Sequence, residues 1–272
     1  MLPTTNPSVY NFPVALRPVF DEFDREIPRV KSVTRTDTRK HLAIVSDRYK
    51  LIKHERMIDA FEPFARALGG VNPDTQFFQE KDGARVIVQH TFRSITFNMP
   101  GHNIPGVGRG LGDVVALRTW GTNSYNTTTP LTLRVGCLVL RCMNGATAMD
   151  SIFGLNIKHV GHGEPEINLP TPEAVIAAFQ RTGRIWEQWA DLTLRPHEIE
   201  RLTEMAAKEY GIASPRDIEK EKVRFQSATT VWDIYNAFTY VIGNSSRRIQ
   251  ETSRLNRLDR LNIMISSYTA VN

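Results

Sequence analysis

Arginine is the residue type whose placement in this chain most clearly indicates a chemistry. Residues 84–141 carry six arginines, no lysine and one acidic residue, Asp113, which gives the segment a net charge of +5. A guanidinium group can bind phosphate through two parallel hydrogen bonds, so this composition is typical of a phosphate-recognising surface. We therefore predict nucleic-acid contacts by eight residues: Arg85, Arg93, Arg109, Arg118, Arg134, Arg141, Lys158 and His159.

A second concentration of arginine lies near the C-terminus. Residues 241–272 carry five arginines and two acidic residues, a net charge of +3. Their spacing beside Leu258 and Leu261 predicts an amphipathic helix that either gathers DNA electrostatically or packs on a neighbouring subunit. A solvated basic face is the alternative for both arginine groups. The predicted tail consists of Arg247, Arg248, Arg254, Arg257 and Arg260.

The segment ARVIVQHTFR alternates with a period of two residues. This pattern predicts a half-buried β-strand whose solvent-facing row contains Arg85 and Arg93, about 27 Å apart. Nearby aromatic residues would suit single-stranded nucleic acid, whose bases stack on aromatic rings, although aromatic residues at strand spacing more often belong to the core. These aromatic residues are Phe92, Phe97, Trp120 and Tyr125.

One pattern that resembles a zinc site has unsuitable spacing. Cys137 and Cys142 fall at opposite parity in one predicted strand, so they would point to opposite faces. Only two residues separate His159 from His162, whereas zinc fingers use three to five. We therefore expect buried cysteines rather than metal ligands.

Catalytic and nucleotide-binding motifs are also incomplete. The glycines of residues 106–112 precede a predicted strand instead of a helix, so they predict a flexible loop that carries Arg109. A metal-dependent nuclease needs paired acids beside a lysine, and Asp74 with Glu80 and Lys81 only approximates that pattern. We expect no cofactor and no enzyme activity, and a nuclease is the third hypothesis.

Composition limits the class of protein. The chain has 272 residues, of which 41% are hydrophobic and 23% charged, and its pI is about 9.3. It contains no apolar run of ~20 residues, the length that a membrane span requires. Two cysteines suit a reducing compartment. We expect a cytoplasmic protein without membrane contact.

The order of predicted elements indicates an α+β fold in three parts. Residues 1–30 are predicted to form an extended, proline-rich N-terminal arm, because the first 28 residues contain five prolines. Residues 166–272 are predicted to form a helical region packed on a sheet. Residues 31–165 are predicted to form the sheet domain, with strands at 41–45 and 49–52, a helix at 55–68, and an antiparallel β-meander at 84–93, 94–98, 113–120 and 131–142.

Capping residues and apolar periodicity predict five helices in the last third. Trp232 is predicted on a core helix capped by Thr229 or Thr230, with Asn236 bonded to buried backbone. The other four predicted helices span 172–190, 196–210, 215–224 and 245–265.

Five segments together resemble a phage- and plasmid-encoded family known as a domain of unknown function and often called "phage/plasmid-like protein". They are IVSDRYKLIKHERMIDAF, GARVIV, VVALRTWGTNSYNTTTPL, RVGCLVLRCMNGATA and TTVWDIYNAFTYVIGN, within residues 33–250. The resemblance implies a mobile-element origin and a cytoplasmic setting, with no settled activity. In architecture alone, the predicted protein is similar to phage single-strand annealing proteins of the Rad fifty-two type.

The first functional hypothesis is a phage-encoded protein that binds and anneals single-stranded DNA in a recombination system, without bond chemistry. One strand would lie along the basic surface with its bases exposed to a second strand. Identical subunits would form a ring or a filament. The alternative is a host-takeover or anti-defence protein that binds a host protein through the same basic face.

Overall fold

The computed structural model describes residues 10–69, 73–110, 112–139, 153–160, 166–244 and 251–271. These residues form two antiparallel sheets, a small β-hairpin and a helical C-terminal part. The predicted α+β class is therefore confirmed.

The first sheet is built from the proline-rich N-terminal region. Its antiparallel strands, in spatial order, are β1 (Val14–Phe20), β2 (Glu26–Arg35) and β3 (His41–Ser46). The described part of the predicted arm is extended, but it is hydrogen-bonded into this sheet instead of forming a separate element. Pro18 lies on the edge strand β1, where a missing amide donor is tolerated.

The second sheet has five strands, with a two-stranded hairpin inserted along the chain. In chain order, these elements are β4 (Asp74–Glu80), β5 (Arg85–Met99), the hairpin strands β6 (Asn103–Ile104) and β7 (Gly108–Arg109), β8 (Asp113–Ser124), β9 (Leu131–Val139) and β10 (Phe153–Ile157). The spatial order β10-β9-β8-β5-β4 confirms the predicted meander.

Several strand predictions are corrected. β5 is one continuous strand of 15 residues, where the sequence predicted two. The predicted strand at 49–52 is reduced to an isolated bridge between Tyr49 and Val160. β4 and β10 were not predicted. Because Phe77 and Phe78 are adjacent in β4, its apolar residues do not alternate and periodicity does not identify it.

The predicted helices are confirmed, with two differences. The third C-terminal helix is divided into two short helices, and the last one continues to Val271 instead of ending at residue 265. α1 buries one apolar stripe, which includes Met57, Phe61, Phe64 and Leu68. The helices are α1 (His54–Gly69), α2 (Pro172–Asp191), α3 (Pro196–Lys208), α4 (Pro215–Lys220), α5 (Lys222–Gln226), α6 (Val231–Gly243) and α7 (Glu251–Val271).

The chain divides into two compact units, neither of which is continuous in sequence. Unit 1 comprises Met1–Thr91, Thr119–Arg134 and Phe153–Pro172, and unit 2 comprises Phe92–Arg118, Val135–Ile152 and Glu173–Asn272. The strands β5, β8 and β9 each contribute a part to both units. This division differs from the predicted contiguous ranges 1–30, 31–165 and 166–272.

α6 is a core helix of unit 2, as predicted. Trp232 is 1% exposed and its indole Nε1 donates to the carbonyl oxygen of Pro100 at 3.1 Å. The Asn236 side chain donates to the backbone oxygen of Trp232 at 2.8 Å, which confirms the predicted bond to buried backbone. Thr230 caps the helix by accepting from the amide of Asp233.

Candidate nucleic-acid interface

The two arginines of β5 lie on the same face of the strand. The other face of β5 packs on α1, where the rings of His90 and Phe61 have centroids 5.3 Å apart. Arg85 and Arg93 point to the opposite face, because side chains alternate along a strand. The predicted parity is therefore correct for both residues.

Arg85 is buried, which corrects the predicted solvent-facing row. The residue is 5% exposed, and residues 85–92 are buried on both faces of the strand. Nη1 of Arg85 donates to Oε2 of Glu80 at 2.6 Å, and Nη2 donates to Oγ1 of Thr128 at 2.5 Å. Glu80 lies directly opposite Arg85 in the register of β4 and β5. A phosphate could bind this guanidinium only by displacing the Glu80 carboxylate.

Arg93 and Arg118 form the arginine pair of unit 2. Gly121 of β8 approaches Val88 and Met57, so the odd-numbered residues of β8 face α1 and Arg118 faces the other side with Arg93. β8 and β5 are neighbours in the sheet. Arg93 is exposed, whereas Arg118 is 7% exposed. Unit 2 thus carries two arginines on one face of adjacent strands, one of them open to solvent.

Arg134 belongs to unit 1 and lies on β9. The hydroxyl groups of Thr122 and Thr132 are hydrogen-bonded, so the even-numbered residues of β8 and β9 share a face. Arg134 is half-buried on that face. Arg85 and Arg134, the two arginines that unit 1 contributes to the five-stranded sheet, are therefore not fully exposed to solvent.

His159 and Lys158 differ in environment although they are adjacent. The His159 ring stacks on Tyr49, with centroids 5.1 Å apart and planes 5° apart. Its Nδ1 faces the backbone oxygen of Lys50 at 3.2 Å, and since a carbonyl only accepts, Nδ1 carries the proton. Burial lowers the pKa of His159. The ring is therefore neutral near pH 7, and only Lys158, which is exposed, offers a cation here.

The C-terminal tail is amphipathic, as predicted, and its apolar face is covered within the chain. Leu258 and Leu261 of α7 are buried, and α7 packs on α6 and α3. Arg254 and Arg257 are half-buried, while Arg260 is exposed. The Nε of Arg260 donates to the backbone oxygen of Asn256 at 3.3 Å. These three arginines of the predicted tail lie at the surface of α7. A role for the tail in gathering DNA stays a prediction.

Some predicted site residues fall outside the described part of the chain: Arg141, Cys142, His162, Arg247 and Arg248.

Residues 103–109 form a small two-stranded hairpin, where the sequence predicted a flexible loop at residues 106–112. Asn103 pairs with Arg109, and the amide of Val107 donates to the oxygen of Ile104 at 3.0 Å. Gly106 lies within the turn with φ of +77°, a left-handed conformation that favours glycine. The structure places the backbone of Arg109 on β7.

Sequence reasoning missed a closed polar network around His54. The ring is fully buried, its Nε2 donates to the oxygen of Gly83 at 2.9 Å, and Asn123 donates to its Nδ1 at 3.0 Å. The hydroxyl of Tyr125 accepts from the His54 amide, and its ring lies 3.9 Å from the histidine ring. Burial lowers the pKa of His54 to about 4. The network stabilises a neutral ring whose two nitrogens are both hydrogen-bonded.

This network joins two of the segments on which the family resemblance rests. His54 comes from KLIKHE, and Asn123 and Tyr125 come from GTNSYN, about 70 residues later. Such a long separation left no sequence signal for the pairing. Packing within unit 1 therefore brings these two segments into contact.

Asp233 forms a second polar centre, in unit 2. Its carboxylate accepts from the amides of Asn103, Thr229 and Thr230 at 2.8–3.0 Å. Burial by itself would raise the pKa of Asp233, but these hydrogen bonds outweigh burial and hold the pKa below its usual value. The ionised carboxylate ties the start of the small hairpin to the start of α6.

Among the described residues, no cluster of three or more His, Cys, Asp or Glu side chains has a metal-binding arrangement. No described helix is both long enough and apolar enough to cross a bilayer.

Comparison with known proteins gives one match. No curated protein and no solved structure matched the chain. The family model described as "Domain of unknown function (DUF932)" matches residues 41–262, more than four-fifths of the chain. The predicted resemblance to a domain-of-unknown-function family is thereby confirmed, and the chain belongs to the DUF932 family.

Proposed function

We propose that this protein binds single-stranded DNA and promotes its annealing in a phage recombination system, in the host cytoplasm and without bond chemistry. The observation that carries the proposal is the pair Arg93 and Arg118 on one face of adjacent strands in unit 2. Because β5 and β8 are neighbouring strands, the charge of the buried Arg118 adds to the positive potential at the exposed Arg93, whose guanidinium can bind a phosphate.

The buried arginines narrow the set of contact residues. Arg85 is hydrogen-bonded to Glu80 and Thr128. We therefore assign it a role in stabilising the sheet and no direct contact with DNA. The direct contacts are therefore assigned to Arg93, with Arg118 beneath it. Lys158 is a separate exposed cation of unit 1.

The aromatic residues argue for phosphate recognition rather than base stacking. Phe92, Trp120 and Tyr125 are each 1% exposed. Phe97 packs on Phe179, with ring centroids 4.8 Å apart. Because three of these rings are buried and Phe97 is half-buried against Phe179, binding would depend on the sugar–phosphate backbone, and the bases would stay available for a complementary strand.

A nuclease is not proposed. The nearest acid pattern uses Glu80, whose carboxylate is hydrogen-bonded to Arg85. That engagement leaves Asp74 without the second acid that a metal-dependent mechanism would require.

Fluorescence anisotropy with a labelled single-stranded oligonucleotide, measured over a series of salt concentrations, tests the proposal. We expect affinity to fall steeply with salt, because phosphate binding releases counterions. Arg93→Ala should weaken binding and reduce the salt slope by about one unit. Arg184→Ala, which removes an exposed arginine of α2, is the matched control. Absence of binding at low salt would refute DNA binding and favour the host-protein alternative.

A further inference from the structure

The turn between β1 and β2 presents exposed aromatic side chains on a rigid support. Phe23 is 68% exposed and Phe20 is 54% exposed, and they are the two exposed phenylalanines among the described residues. Ile27 beside them is 38% exposed. We call residues 20–27 the Phe23 tip.

Asp21 holds the Phe23 tip in one conformation. Its Oδ1 accepts from the amides of Phe23 and Arg25 at 2.9 and 3.0 Å, and its Oδ2 accepts from Nε of Arg25 at 2.9 Å. The Arg25 guanidinium lies 5.1 Å from the centroid of the Phe23 ring. An aromatic side chain that is already ordered loses little entropy on docking, and buried aromatic residues commonly dominate interface energies.

The two ends of the three-stranded sheet carry opposite charge. The Phe23 tip has four acidic residues and one arginine, a net of −3, and with the adjacent Arg29, Asp47 and Arg48 that end has a net of −2. Residues 35–41, the turn between β2 and β3, have three basic residues and one acidic residue, a net of +2. The carboxylate of Asp82 accepts from Nζ of Lys40 at 2.8 Å, and with the adjacent Lys81 and Asp82 that end keeps a net of +2. We call this turn the Arg39 turn; Arg39, Lys40 and Asp37 are all exposed there. Because β2 joins the two turns, they lie at opposite ends of one sheet.

We propose that the Phe23 tip docks on the Arg39 turn of a second copy of this chain, giving head-to-tail association. The acidic rim of the tip disfavours nucleic acid as its occupant and complements the basic turn. A contact between two different patches repeats from copy to copy, and it closes into a ring or extends as a filament. The inference is independent of the DNA-binding proposal, because it uses no residue of the arginine pair.

The test is analytical ultracentrifugation of the full chain without DNA, over a range of protein concentrations. The parent should self-associate, and association should weaken as salt rises. Phe23→Ser should raise the dissociation constant by about tenfold or more. Val223→Ser, which changes another exposed apolar residue, should leave association unchanged and is the matched control.

Charge reversal distinguishes this contact from a general loss of solubility. Glu22→Lys with Glu26→Lys changes the tip from −3 to +1, and Thr38→Asp with Arg39→Asp changes the turn from +2 to −1. Each reversed variant alone should be largely monomeric, and a chain that carries both reversals should associate again. A monomeric parent, unaffected single reversals, or failure of the combined reversal to restore association would each overturn the proposal.

Discussion

Arg85 and Arg93 stand eight residues apart on one face of one strand, yet their surroundings differ sharply. In unit 1, Arg85 is buried between the carboxylate of Glu80 and the hydroxyl of Thr128. In unit 2, Arg93 is exposed. The same residue type at the same parity is therefore a structural group in one half of β5 and a candidate ligand contact in the other.

The number of arginines in a sequence segment therefore does not give the positive charge of the surface which that segment forms. The six arginines of residues 84–141 indicated a continuous basic row. A carboxylate on the neighbouring strand neutralises Arg85, so the positive surface is smaller than composition suggested.

Removing the carboxylate from the buried pair should have the largest effect. Glu80→Ala would leave the Arg85 guanidinium buried without its counter-charge, at an expected cost of about 3–5 kcal/mol in the free energy of unfolding. Urea unfolding at an unchanged m-value measures the loss. Replacing both partners by apolar residues, Glu80→Leu with Arg85→Met, should recover much of the stability. A Glu80→Ala protein as stable as the parent would show that the pair is not closed to water.

A fall in pH should lower the stability of unit 1, because its interior contains buried histidines. Burial lowers the pKa of His54 to about 4, so the folded protein keeps this ring neutral where the unfolded chain protonates it. Its contribution to stability is present above the ordinary histidine pKa of about 6.5 and is lost as pH falls toward 4, by up to about 3 kcal/mol.

His90, whose pKa burial also lowers to about 4, should add to this acid sensitivity. The free energy of unfolding, measured at pH 7 and at pH 4.5, should therefore fall, and it should fall less in His54→Gln. An equal fall in both proteins would place the acid sensitivity elsewhere.

Replacement of the exposed Arg93 should have the smallest effect on the free energy of unfolding. Arg93→Ala should change the free energy of unfolding by no more than about 0.5 kcal/mol, as is usual for surface substitutions. Thermal unfolding followed by circular dichroism is sufficient, with Arg184→Ala as the matched control. A loss of several kcal/mol would make Arg93 a structural residue like Arg85.

The sequence predicted the helices and the meander well because their signals are local. Capping residues such as Thr230 and the apolar stripe of α1 depend on neighbours within one or two turns. The burial of Arg85 depends on Glu80 in β4, a strand whose adjacent phenylalanines hid it from periodicity analysis. The partner of His54 at Asn123 is 69 residues away, beyond any local pattern.

The two arginines of β5 have separate roles, and one paired measurement tests this separation most directly. Arg85→Ala and Arg93→Ala are each compared with the parent in urea unfolding and in a salt series of single-stranded oligonucleotide binding. We predict that Arg85→Ala loses stability, while Arg93→Ala keeps its stability and lowers the salt slope by about one unit. A folded Arg85→Ala protein of parental stability, or an Arg93→Ala protein with the parental salt slope, would contradict it.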